Sequence, residues 1–108
     1  MKNVIGQVKF IYSKEMDHFK EGKDHPFVVM GQEGEVVKGF FLSSVECKEY
    51  QGGQKGFFVK NRIAYPAFNY GEVEMAVSEF KGEVIGVMGK ADRNQVKVEF
   101  SRFQKAFG

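Results

Sequence analysis

Apolar and polar residues alternate along most of the chain with the period of two that a half-buried strand imposes. From Val4 to Tyr12 the alternation sets Val8, Phe10 and Tyr12 on one face and Lys9 on the other, predicting a first strand. Phe27-Val28-Val29-Met30 is a continuous apolar run and predicts a strand buried on both faces. Gly31-Gln32-Glu33-Gly34 has turn composition, and Val36 to Leu42 follows as a partner strand, so the two runs predict a hairpin with a four-residue connection. Phe57-Phe58-Val59 starts a fourth strand. Ala64-Tyr65-Pro66 comes next, with Pro66 at a turn or strand end because it has no N–H to give to a ladder. Glu72 to Phe80 alternates most cleanly, Val73, Met75 and Val77 facing one way and Glu72, Glu74 and Ser78 the other. With Lys81-Gly82 as a tight turn and Val84 to Met88 returning, this is the strongest predicted hairpin.

The period changes at Asp92, whose carboxylate can cap free backbone N–H groups, with Gln95 three positions on as a capping box needs. Val96, Phe100, Phe103 and Phe107 follow at spacings of four, three and four, which is one face of a helix, and this apolar stripe is expected to cover the open side of the sheet. Gly108 stands where a left-handed residue ends such a helix. Two segments read as loops. Ser13 to Asp24 is polar and carries His18, with Met16 and Phe19 as apolar anchors and room for one helical turn. Ser43 to Gly56 is charged and glycine-rich at its end; lacking a flanking strand–helix pair, it reads as a flexible surface loop rather than a phosphate-binding one. The expected fold is mainly β with a C-terminal α-helix: five to seven short antiparallel strands in a small SH3-like half-open barrel, as a single domain over residues 1–108.

Composition agrees with that class. The 12 Phe, the many Val and the lone leucine, Leu42, suit a pleated surface better than a helix bundle. Cys47 is the one cysteine, so no disulfide forms within the chain, and its charged surroundings hold no histidine to activate it. Met1-Lys2-Asn3-Val4 runs straight into the strand pattern without the features of a leader, and no apolar run approaches a membrane span, so a reducing cytoplasm is expected. A net charge of +2 permits a nucleic-acid partner without demanding one. His18 and His25 match no metal-ligand spacing, and no phosphate loop, dinucleotide fingerprint or nucleophile elbow occurs. Neither a metal nor a cofactor is expected, and any catalysis falls to side chains alone.

Candidate chemistry gathers between Lys23 and Ser44. His25 stands just before one strand of the first hairpin, and Ser43 and Ser44 just after the other. The two ends of a hairpin meet at one edge of the sheet, so His25 and Ser43 can be neighbours across eighteen residues. Imidazole titrates near neutrality and can serve as base or acid, and a hydroxyl can donate to a phosphoryl oxygen. Lys23, Lys60 and Arg62 are candidates for phosphate charge. The plainer readings stand beside these: a surface histidine before a proline, serines that end a strand by turn chemistry, and solvated cations.

Four features in order carry a resemblance: Gly6-Gln7-Val8, His25-Pro26-Phe27-Val28-Val29, Leu42-Ser43-Ser44 and Gly89-Lys90-Ala91-Asp92. Together they span nearly the whole chain and resemble the MazF/PemK-type toxins, including the ToxN-like branch. The family's usual Arg before Pro is His25 here, and its usual Thr is Ser43; this chain contains no Thr. The resemblance implies a metal-independent endoribonuclease of a toxin–antitoxin system. In such an enzyme the 2′-OH of single-stranded RNA attacks the adjacent phosphate, giving a cyclic phosphate and a free 5′-OH. His25, Ser43 and Ser44 would be catalytic and Lys23, Lys60 and Arg62 would bind RNA. A homodimer and a cognate antitoxin, protein or RNA, would be the partners. A non-catalytic module on the same scaffold, gripping nucleic acid or protein, is the competing reading, and an adaptor acting through protein contacts is a third.

Overall fold

Seven strands and one long helix are built from residues 3–13, 23–47 and 53–107, the parts of the chain that the computed structural model describes. The strands are β1 (Gln7–Ser13), β2 (Lys23–Glu33), β3 (Val36–Ser43), β4 (Phe57–Val59), β5 (Arg62–Pro66), β6 (Val73–Ala76) and β7 (Gly86–Val87), and the helix α1 is Lys90–Phe107. Every pairing is antiparallel. The order across the sheet is β4-β5-β3-β2-β1-β7, with β6 also on β3. The sheet bends into a nearly closed barrel with α1 at its C-terminal end. Met16, His18 and Phe19 lie outside the described residues, as does Gly108.

The continuous run in β2 is buried on both faces, as expected of it. Val28 and Met30 join Val8, Phe40, Leu42, Val59 and Phe68 inside the barrel, whereas Phe27 and Val29 pack with Val4, Val37, Phe41 and Phe80 on the other face. Val28 and Met30 share the inner face by alternation, and a register shift against β3 falls between Val29 and Gly31. Gly39 permits this double layer, because a Cβ there would lie 1.8 Å from the Val28 carbonyl oxygen. From α1, Val96 is buried and Phe100 and Phe103 pack on the barrel cluster. Phe40 and Phe100 meet at 4.8 Å between ring centroids and Phe68 and Phe103 at 5.8 Å, so the predicted stripe does cover the sheet. The Phe107 side chain lies outside what is described.

Five boundaries and pairings differ from expectation. β1 starts at Gln7, because Val4 to Gln7 is a turn closed by the Gln7 N–H donating to the Val4 carbonyl at 3.0 Å. β2 runs through Gly31-Gln32-Glu33, so the connection is the two residues Gly34-Glu35, with Gly34 at φ 59° as a tight hairpin turn requires. The predicted hairpin over 72–88 does not form. β6 pairs with β3, a short 3-10 turn at Val77–Glu79 ends it, and β7 is two residues long and pairs with β1. Alternation reports one buried face but not which strand lies alongside. Asp92 sits inside the first turn of α1, which begins at Lys90, and its carboxylate takes the Lys55 ammonium at 3.2 Å rather than capping. Finally, the ends of the 43–56 segment are pinned. The buried Gln54 side chain accepts from the Cys47 N–H at 2.8 Å and donates to the Pro66 carbonyl at 2.6 Å.

Candidate functional site

β2 and β3 separate at one end, and the candidate site lies where they do. Their ladder stops at Phe27–Phe41; beyond it Leu42 and Ser43 pair with Pro66 and Tyr65 of β5. On β2 the next residue is Pro26, which has no N–H to extend the ladder. A groove of about 500 Å³ opens there. Phe10, Pro26, Leu42, Val59, Ile63 and Ala64 supply its apolar walls, and His25, Ser43, Ser44, Lys60 and Arg62 its polar lining.

Five of the six residues singled out from sequence therefore border one concavity. Lys23 opens β2 opposite Ser13, and its side chain lies outside what is described. Carried two residues past its last pair, the β2–β3 register sets His25 opposite Ser43. Lys60 comes from a tight turn that the sequence reading left unassigned: Lys60 and Asn61 have φ 48° and 65°, a type I′ geometry joining β4 to β5. Asn between two apolar runs is the signal for it. That turn leans over β1, with the Lys60 ammonium 6.0 Å from the centre of the Phe10 ring. Neither Lys60 nor Arg62 is held in an ion pair among the described residues, whereas Lys38 pairs with Glu74 and Lys55 with Asp92.

No family model matches the chain, and no curated protein matches it in sequence. Chemistry must therefore be read from the groove itself. The Ser43 hydroxyl accepts from the Val45 N–H at 3.2 Å, so it ends the strand by turn chemistry and keeps its proton for another acceptor. His25 is half-buried, its ring edge-on to Phe41 at 6.4 Å between centroids. Among the described residues its enclosed Nε2 has no hydrogen-bond partner, an arrangement that costs about 1–3 kcal/mol in a folded protein. The ring borders the groove, but its enclosed Nε2 is not open to it.

Phe10 was the wall that the sequence reading missed. Alternation put it with Val8 and Tyr12 on a face expected to be covered; Val8 is 2% exposed, but Phe10 is 46% and Tyr12 61%. Val8 packs into the barrel cluster, and Phe10 and Tyr12 further along β1 do not. No helix among the described residues is long and apolar enough to cross a membrane.

Proposed function

We propose that this groove binds single-stranded RNA and cleaves it without a metal, as an endoribonuclease of the toxin type. The observation carrying the proposal is the meeting of His25, Ser43, Ser44, Lys60 and Arg62 on the lining of one groove from three separate stretches of chain. Unpaired cations beside an exposed aromatic ring are what a nucleotide strand needs: charge for the phosphates and a flat apolar surface for the bases.

In the proposed reaction the 2′-oxygen attacks the adjacent phosphorus and the bond to the 5′-oxygen breaks. A 2′,3′-cyclic phosphate and a 5′-hydroxyl result. His25 takes the 2′-OH proton or supplies one to the leaving oxygen, with water serving for the other transfer; catalytic contacts commonly tighten only when substrate binds. The hydroxyls of Ser43 and Ser44 donate to the non-bridging oxygens, and Lys60 and Arg62 offset their charge, with Lys23 a further candidate. On the same reading the chain pairs with itself, and a cognate antitoxin, protein or RNA, occludes the groove.

The enclosed Nε2 favours a second reading, a module that grips RNA without cutting it. One experiment separates the two. Single-stranded RNA is incubated with the purified chain in EDTA, beside His25→Ala and Ser43→Ala/Ser44→Ala variants, and the product ends are identified. Cyclic phosphate ends lost in the variants sustain the nuclease. Binding that weakens with salt but leaves the RNA intact assigns the module.

A further inference from the structure

We infer that Phe10 and Tyr12, two residues apart on β1, form a stacking platform that carries two consecutive bases of a single strand out of the groove. The inference rests on the single-stranded RNA reading and adds how the strand is held: two consecutive bases splayed onto the strand β1. Two large rings on one strand face keep much of their surface open to solvent, Phe10 46% and Tyr12 61%. Phe10 lines the groove and also a second depression of about 560 Å³, whose lining includes Tyr12, so the two concavities meet at Phe10. A strand rises about 3.4 Å per residue, which puts alternate side chains roughly 7 Å apart. One nucleotide of an extended backbone bridges that distance, and sheet-based RNA modules stack neighbouring bases on strand aromatics in this way.

Charge gives the track its direction. Lys60 stands over Phe10, and Arg62 lines the groove behind it. The second depression carries Glu74, which is paired with Lys38, together with Glu79 and Lys81, so it lacks the uncompensated positive charge of the groove. The phosphates are therefore drawn to the groove side, and the stacked bases end near Tyr12. Duplex RNA is excluded, since paired bases cannot lie on the rings.

The chain has no tryptophan, so Phe10→Trp and, separately, Tyr12→Trp each introduce a single indole that reports stacking. A short 2′-O-methyl oligonucleotide, which lacks the attacking hydroxyl, serves as an uncleavable probe. Its binding should quench both indoles, and one abasic position should relieve the quench at one site and leave the other. Phe10→Ala and Tyr12→Ala should each weaken binding roughly 5- to 150-fold. Phe10→Leu and Tyr12→Leu, which keep apolar bulk, should weaken it nearly as much while the thermal midpoint holds. If the wild type binds or cleaves RNA but the variants bind within twofold of it, the inference is overturned, the RNA reading survives, and the rings fall to a protein contact. If the wild type neither binds nor cleaves any single strand, both are lost.

Discussion

Gln54 offers the sharpest test of how the groove is held. Its side chain bridges the start of one loop to the end of β5, serving the Cys47 N–H and the Pro66 carbonyl, and it is 6% exposed. Gln54→Ala leaves a buried donor and a buried acceptor without their partner. Each such group costs about 1–3 kcal/mol, less where water can enter, so roughly 2–5 kcal/mol is expected in all. For 108 residues at about 2.1 cal/mol/K each, the unfolding entropy is near 0.23 kcal/mol/K. The midpoint should therefore fall by about 10 to 20 °C, measured by circular dichroism or calorimetry and checked against urea unfolding. Because Pro66 pairs with Leu42 beside Ser43, RNA binding should weaken even at temperatures where the variant is folded. Lys97→Ala, on the exposed face of α1, is the control and should stay within about 0.5 kcal/mol. A Gln54→Ala midpoint within 2–3 °C of wild type would refute the bridging role.

Three further outcomes are expected. Gly39→Ala drives a methyl into the Val28 carbonyl and should cost about 3 kcal/mol or more in chemical denaturation, whereas Gly31→Ala, where a Cβ meets nothing within 4 Å, should cost nothing measurable. Lys60→Ala and Arg62→Ala should each reduce the slope of log affinity for single-stranded RNA against log salt by about 0.7, read from titrations at several salt concentrations; unchanged slopes would remove these cations from the interface. The Lys38 ammonium is held above its ordinary pKa by its hydrogen bond to Glu74 and the attraction of that carboxylate. A raised lysine pKa contributes stability that is fully present below the unfolded value and is lost as pH rises through the folded one. The small stability difference between wild type and Glu74→Gln should therefore persist at neutral pH, vanish above the lysine range, and shrink with salt, because the pair is at the surface.

Much of the site was legible before any coordinates. His25 and Ser43 could be placed at one end of a hairpin because antiparallel pairing equates the ends of neighbouring strands, and that reasoning tolerates errors of a residue or two in the turn. The turn was in fact misjudged, with Gly31 to Glu33 lying in strand, yet the juxtaposition holds. Phe10 and Tyr12 were not legible as exposed. Their alternation matches that of Val8, and only the tertiary structure packs Val8 into the barrel cluster and leaves them exposed. Nor was the Gln54 bridge, since a glutamine in a glycine-rich stretch looks the same whether solvated or buried.

Local chemistry, then, settled what the sequence alone could settle. Side-chain period specified strand or helix, the Phe stripe specified one covered helix face, and proline and glycine marked ends and turns, because each acts within a few residues of itself. Partnership was decided by the tertiary structure. β6 chose β3 over its neighbour in the chain, β7 chose β1, and β5 joined β3 just past the point where the β2–β3 ladder stops. A strand offers equivalent hydrogen-bonding edges to any partner, and the selection among them comes from packing across the whole barrel, which no short stretch of sequence encodes.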